Sequence, residues 1–257
     1  MKTSIRTVLI ICFAFHSLLA QASDLAREKR WADQVVDSII DGDAVWLNDG
    51  KHKFLGIYTE AADDKQRGAI IMHGTGIHPN WQQVVQPLRV GLTEHGWHTL
   101  AIQMPILDNE ADYKDYAPLY DEVSPRINAA IKDLHDKGIK NIVLIGHSQG
   151  AVMGAYHLSK HSDTAKAFVA IGMPGSFGEG KMNALLSLKT ISVPVLDLYG
   201  SEDLESVLMS DRERIAAAKA AGNKNYSQKK IEGANHFFDD RNDELLESVS
   251  SWLDKLK

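Results

Sequence analysis

From residue 69 onward, short apolar runs alternate with longer segments whose apolar residues recur at helical spacing. The runs of strand length are residues 69–72, 97–103, 142–145, 167–171, 193–199 and 226–231. The helical segments are residues 82–95, 120–137, 149–161, 207–221 and 243–256. Strands that alternate with helices in this way predict a mostly parallel sheet covered by helices on both faces.

A different pattern precedes residue 69. Residues 24–41 can form an amphipathic helix, and two strand-like segments, 44–47 and 52–58, flank an Asp-Gly turn. Asp-Gly between such segments predicts a β-hairpin. No repeat, low-complexity run or linker interrupts the pattern, so we expect residues 23–257 to form a single α/β domain.

The first 22 residues have the order of a secretory signal peptide. Two basic residues precede an apolar run over residues 8–20, and Ala20-Gln21-Ala22 is a small-x-small cleavage site. The run is shorter than the roughly 20 residues of a membrane span. We therefore expect cleavage after Ala22, which would leave the mature protein without a stable membrane anchor. The alternative is an uncleaved membrane anchor. The only cysteine, Cys12, lies in this segment, and a mature chain without disulfides favours a bacterial periplasm.

Composition excludes several classes of function. The net charge is −6 and no lysine- or arginine-rich run occurs, so nucleic acid is not an expected partner. A mature chain without cysteine has neither a thiol nucleophile nor a thiolate metal site. His73 and His78 lie five residues apart, but no carboxylate cluster joins them, so neither a metal ion nor another cofactor is expected. The pattern gives no indication of the oligomeric state.

The sequence Gly146-His147-Ser148-Gln149-Gly150 lies between a predicted strand and a predicted helix. Gly-x-Ser-x-Gly in this position is typical of a nucleophile elbow, a sharp turn that presents the serine hydroxyl. The alternative is an ordinary strand-to-helix turn whose serine caps the helix.

A nucleophilic serine needs a base, and in this pattern the acid and then the histidine follow it along the chain. His157 and His161 lie on the helix after the serine, which directs them away from the ends of the strands. His236 lies in the loop between the last predicted strand and the last helix, where the base is expected.

The acid should follow the strand over residues 193–199. Asp203 lies just beyond it and is the predicted triad acid, whereas Asp197 lies inside the strand. Glu202 and Glu205 are close to the same position and remain alternatives.

Two backbone N–H groups should bind the oxyanion that forms during acyl transfer. One is expected from Gln149, the residue after the serine. The loop His73-Gly74-Thr75-Gly76 follows the strand over residues 69–72, and we predict that Thr75 supplies the second. The alternative is a glycine-rich turn without this role.

The chain resembles the α/β-hydrolases over residues 45–256. The matching residues are His73-Gly74-Thr75-Gly76, Gly146-His147-Ser148-Gln149-Gly150, Gly200 with Asp203, and Asn235-His236. The resemblance implies an eight-stranded, mostly parallel sheet, a Ser–His–Asp triad and hydrolysis of esters, thioesters, amides or related bonds. The oxyanion segment lacks the triple glycine of many lipases. Only about 20 residues separate the strands predicted over residues 167–171 and 193–199, so any lid in this segment is short.

The leading hypothesis is an exported serine hydrolase, most simply a carboxylesterase that acts on a small acyl substrate through an acyl-enzyme. The same triad serves peptidases, thioesterases and acyltransferases. A non-catalytic binding protein on the same fold is a further alternative. Residues 106–119 and 172–189 should determine specificity, but the sequence does not identify the substrate.

Overall fold

The computed structural model describes residues 23–63, 66–176, 178 and 180–256. The strands are β1 (Asp43–Asn48), β2 (Lys53–Thr59), β3 (Arg67–Met72), β4 (His98–Ile102), β5 (Asn141–His147), β6 (Phe168–Ile171), β7 (Val195–Glu202) and β8 (Tyr226–Asn235). The helices are α1 (Leu25–Val36), α2 (Val85–Glu94), α3 (Tyr120–Asp136), α4 (Gln149–Lys160), α5 (Ala184–Leu188), α6 (Glu205–Leu208), α7 (Asp211–Ala220) and α8 (Asn242–Leu253). Short 3-10 helices span Tyr113–Leu119 and Gly180–Met182. The predicted signal peptide lies outside the described residues.

The strands form one sheet of eight in the order β1-β2-β4-β3-β5-β6-β7-β8. The hairpin β1–β2 is antiparallel, β2 joins β4 in antiparallel register, and all remaining pairs are parallel. This arrangement confirms the predicted hairpin and the mostly parallel eight-stranded sheet of an α/β-hydrolase.

Alternate residues of the central strands enter different cores. In β3, Ile70 packs in one apolar cluster and Ile71 in another, and Leu144 and Ile145 of β5 divide in the same way. Successive side chains of a strand point to opposite faces of the sheet. Helices cover both faces, so the central strands are continuously apolar rather than alternating. The catalytic candidates Ser148, Asp203 and His236 directly follow β5, β7 and β8, so they lie at the same edge of the sheet.

Two predicted helices have different limits in the structure. The helix predicted over residues 207–221 is wrong as a single unit, because α6 ends at Leu208 and α7 begins at Asp211. Ser210 lies at the break, where its hydroxyl accepts the Gly175 N–H at 2.9 Å and an N–H of Arg214 at 2.7 Å. The first helix ends at Val36 and not at residue 41, and the N–H of Ser38 closes its last turn on the Val35 carbonyl.

Within the described ranges, no helix combines the length and the apolar character that crossing a membrane requires.

Candidate active site

Strand β5 leads directly into a strained turn at Ser148. The backbone of Ser148 has φ 54° and ψ −122°, in the left-handed half of conformational space, which is unfavourable for a side chain. Its hydroxyl makes no capping hydrogen bond to α4, so the interpretation of Ser148 as a helix cap is wrong. The turn instead presents the hydroxyl beyond the end of the sheet.

The glycines that flank Ser148 allow two close backbone approaches. A β-carbon on Gly150 would lie 2.4 Å from the carbonyl oxygens of Met72 and His73. One on Gly146 would lie 2.6 Å from the backbone of Ala151. Both distances are shorter than van der Waals contact, so Gly-x-Ser-x-Gly is a packing requirement of this turn.

A continuous chain of hydrogen bonds joins three of the predicted site residues. The Nε2 atom of His236 lies 3.0 Å from the Ser148 hydroxyl, and its Nδ1 lies 2.5 Å from Oδ1 of Asp203. Each of the three residues is only 6% exposed. This is the geometry in which a carboxylate orients an imidazole that can accept a serine proton.

The structure distinguishes between the acids that the sequence left open. Asp203 directly follows β7, and its Oδ1 also accepts the Leu204 N–H at 2.7 Å. Glu202 and Glu205 are exposed to solvent. Asp197 is fully buried within β7, where it pairs with Arg214 at 2.7 Å. Asp203 is therefore the acid that the fold brings to His236.

Sequence reasoning missed Gly172, which follows β6 and lies against the hydrogen-bonded pair of His236 and Asp203. It has φ +55°, and a β-carbon there would lie 3.1 Å from His236 Nδ1 and 3.3 Å from Asp203 Oδ2. A side chain at this position would be strained and would press on the hydrogen-bonded pair. The available signal was a glycine at the end of a predicted parallel strand.

The predicted oxyanion loop lies against Ser148. A β-carbon on Gly74 would lie 3.0 Å from the Ser148 β-carbon, and Gly76 has φ +67°. The Thr75 hydroxyl donates a hydrogen bond to Oε1 of Gln149 at 2.6 Å. Among the described residues, the backbone N–H groups of Thr75 and Gln149 have no hydrogen-bond partner. The two predicted donors are thus adjacent and available, and their role in catalysis stays a prediction.

A neutral His73 joins this loop by hydrogen bonds to the segment that follows β4. Its Nε2 accepts the Met104 N–H at 2.9 Å, so its Nδ1 carries the proton and donates to the Gly74 carbonyl at 2.8 Å. Burial lowers the pKa of His73 to about 3. The imidazole therefore stays uncharged near neutral pH and supports the loop as a structural group.

His147 supports the base in a similar way. Its Nε2 donates to the backbone carbonyl of His236 at 2.9 Å, and the two rings lie 4.8 Å apart. Burial lowers the pKa of His147 to about 4. The residue beside the catalytic candidate thus stays neutral and does not oppose a positive charge on His236.

No group of three or more metal-binding side chains comes together in the part of the chain that the structure describes. Both ring nitrogens of His73 are used in hydrogen bonds, which leaves it no lone pair for a metal ion.

Solved structures with the same fold include several serine hydrolases. The chain aligns with the Pyrococcus furiosus esterase Pf2001 at a TM-score of 0.68 and 19% identity, over 84% of this chain and 91% of that one. It aligns with Est1E from Butyrivibrio proteoclasticus at a TM-score of 0.65 and 17% identity, over 84% and 99%. XC6422 from Xanthomonas campestris, described as an α/β serine hydrolase without a lid, gives 0.63 and 15% identity, over 84% and 95%. At these identities the likeness shows the fold.

A search of curated protein sequences found no significant match. The family DUF3530, described as "Protein of unknown function", matches residues 7–120 and 109–255. These two segments span nearly the whole chain and contain every residue of the site described above. The chain therefore belongs to the DUF3530 family, and it has the α/β-hydrolase fold.

Proposed function

We propose that the protein is an exported serine hydrolase that cleaves an ester-type acyl bond in a small substrate. The observation that carries the proposal is the hydrogen-bond chain from the Ser148 hydroxyl through His236 to Asp203, at the apex of a strained elbow. Backbone strain of this kind is concentrated at active sites, which supports a functional role for Ser148.

The geometry supports a two-stage acyl transfer. Ser148 Oγ attacks the substrate carbonyl carbon while His236 Nε2 accepts the hydroxyl proton, and Asp203 stabilises the imidazolium that results. The carbonyl oxygen becomes an oxyanion, to which the N–H groups of Thr75 and Gln149 would donate hydrogen bonds. His236 then returns the proton to the departing alcohol oxygen, which leaves the acyl group on Ser148. A water molecule, deprotonated by His236, cleaves this ester and releases the acid.

Similar folds support the class of reaction but not the substrate. One similar structure is an esterase and another is a serine hydrolase, and both share less than a fifth of their residues with this chain. A thioester or amide would react by the same steps, and another acceptor in place of water would make the protein an acyltransferase. Export to a periplasm rests on the N-terminal sequence alone.

The direct experiment is a screen of short-chain p-nitrophenyl esters and acyl thioesters with the mature protein and two serine variants. Ser148→Ala should reduce kcat by about 10⁴-fold or more, because the nucleophile is lost. Ser159→Ala is the matched control, since Ser159 lies on the same helix α4 and its hydroxyl donates to the nearby Tyr156 carbonyl within that helix. It should retain full activity. If the wild-type protein and Ser148→Ala hydrolyse all these substrates equally slowly, the proposal fails.

A further inference from the structure

A buried arginine beneath α1 faces more carboxylates than it can neutralise. Arg126 of α3 is fully buried, and its guanidinium lies 2.9 Å from Glu28, 3.2 Å from Glu122 and 3.8 Å from Asp49. We call these four residues the Arg126 cluster. One arginine thus faces three acidic side chains from α1, α3 and the turn between β1 and β2, and His52 Nδ1 lies 3.9 Å from Asp49.

Glu28 is the member of the cluster that α1 contributes, and burial disfavours its charged form. Burial raises the pKa of Glu28 to about 7, although the adjacent Arg126 acts to lower it. Buried charges are tolerated when they are paired, and an unpaired one is costly. A second cation beside these carboxylates would therefore offset the negative charge that Arg126 alone leaves.

Ser23 brings its backbone nitrogen to the Arg126 cluster. Its N atom lies 3.0 Å from Oε1 of Glu122, and its hydroxyl lies 2.7 Å from Oε2 of the same carboxylate. The Ser23 hydroxyl also accepts an N–H of Arg126 at 3.1 Å. Ser23 is buried, and it is the residue that would become the N-terminus if the signal peptide were cleaved after Ala22.

We propose that signal-peptide cleavage after Ala22 creates an α-ammonium group at Ser23 that ion-pairs with Glu122 and fastens α1 to the sheet domain. In the cleavage, water adds its hydroxyl to the Ala22 carbonyl carbon, and the Ser23 nitrogen leaves with a proton. That nitrogen then takes a further proton from solvent and becomes a cation. The neutral amide hydrogen bond to Glu122 is replaced by a charge-assisted one, and the cluster gains its second positive charge.

The same helix reaches the candidate active site. Arg27 of α1 donates hydrogen bonds to the Leu107 carbonyl and the Asn109 side chain, and to the Gly76 carbonyl at 3.4 Å. Its guanidinium also lies 4.4 Å from the ring centre of Trp31. Arg27 is thus a positioning residue for the loop that contains Thr75, and maturation would tighten this loop. This consequence for turnover rests on the proposed hydrolase function, whereas the ion pair itself does not.

The test is a stability cycle on the mature chain that begins at Ser23 and on the same chain extended by Ala22. Urea unfolding at pH 7 should show a folding equilibrium constant about tenfold lower for the extended chain, because a hydrogen bond to a charged donor is stronger than one to a neutral amide. In the Glu122→Gln background the extension should change it less than twofold. An equal effect in both backgrounds would mean that Ala22 acts sterically, and it would overturn the ion pair.

Mass spectrometry of the exported protein supplies the second arm. The proposal requires an N-terminus at Ser23, and one at any other residue would overturn it.

For the loop, kcat of the Ala22-extended chain on an ester should fall several-fold while KM changes less. If the effect of the Ala22 extension depends on Glu122 but the protein hydrolyses no substrate, the ion pair stands and the proposed function fails. If the protein hydrolyses an ester but the effect of the extension does not depend on Glu122, the proposed function stands and the ion pair fails.

Discussion

At the scale of single residues, Ser148, Gly74 and Gly150 show how this sequence presents the hydroxyl of the candidate nucleophile. The positive φ of Ser148 turns its hydroxyl away from α4 and toward His236. The two glycines let the end of β3 and its loop pass within contact of that turn. A sequence motif of five residues thus encodes close backbone packing as well as the candidate serine.

The hydrogen bond between Thr75 and Gln149 should fix the separation of the two predicted oxyanion donors. Thr75→Val removes the hydroxyl and keeps the shape of the side chain, so we expect kcat to fall about tenfold or more with a smaller change in KM. The measurement is steady-state ester hydrolysis. Thr75→Ser keeps the hydroxyl and should stay within about threefold of wild type. A Thr75→Val protein with wild-type kcat would show that this bond has no positioning role.

The sequence predicted some residues of the candidate site and missed others. The order serine, acid, histidine and the positions at strand ends predicted Ser148 and His236, and favoured Asp203 as the acid while Glu202 and Glu205 stayed open as its neighbours. Their difference is the direction in which each side chain leaves the end of β7, and only Asp203 turns toward His236. Arg27 was missed because its partners at Gly76 and Leu107 are distant in the chain, and no local pattern encodes such a contact.

At the scale of elements, the packing of α4 against β3 depends on Gly150. Gly150→Ala would place a methyl group 2.4 Å from two backbone oxygens, which cannot move as a flexible side chain can. We expect a loss of about 2 kcal/mol or more in the free energy of unfolding, from overpacking at this contact. Urea denaturation measures it, and activity should fall in parallel as the elbow shifts.

Gly178→Ala is the control for this substitution. A β-carbon on Gly178 would have no described atom within 4 Å, and Gly178 itself is exposed. Its unfolding free energy should match that of the wild-type protein. Equal stabilities of the Gly150→Ala and Gly178→Ala proteins would refute the account of the elbow.

Elements with clear periodicity were predictable, and those shaped by tertiary contacts were not. The apolar runs of β3 and β5 and the amphipathic pattern of α3 located these elements to within about two residues. The break between α6 and α7 has no periodic signal, because it depends on Ser210 bonding Gly175 from another segment. The 3-10 helix Tyr113–Leu119 contains Pro118 and is too short to show a period.

At the scale of the whole molecule, the fold buries several histidines in the neutral form. Burial lowers the pKa of His73 to about 3 and those of His147 and His157 to about 4. In the unfolded chain a histidine binds a proton near pH 6.5. These residues therefore contribute stability that is present above about pH 6.5 and is lost as the pH falls toward their folded values.

His157 offers the cleanest test because it lies outside the candidate site. Its ring nitrogens contact the hydroxyls of Ser124 at 3.1 Å and Thr164 at 3.0 Å. Between pH 7.5 and pH 5 it should contribute about 2 kcal/mol, at most, to the loss of unfolding free energy. Glu28, with its pKa raised to about 7, acts in the opposite direction, so the comparison with a variant isolates the histidine.

The measurement is urea unfolding of the wild-type and His157→Gln proteins at both pH values. Glutamine can still form hydrogen bonds but does not titrate, so the variant should lose less stability on acidification than the wild-type protein does. Identical losses in the two proteins would contradict the assignment of a buried neutral His157.

The central claim is that Ser148 is an activated nucleophile, and covalent labelling tests it most directly. A fluorophosphonate reacts with a serine that a neighbouring base has activated, and ordinary surface serines do not react. We predict a single adduct that maps to Ser148, and its loss in Ser148→Ala and His236→Ala. An unlabelled, folded wild-type protein, or equal labelling of wild type and His236→Ala, would contradict the account and favour a non-catalytic role for this fold.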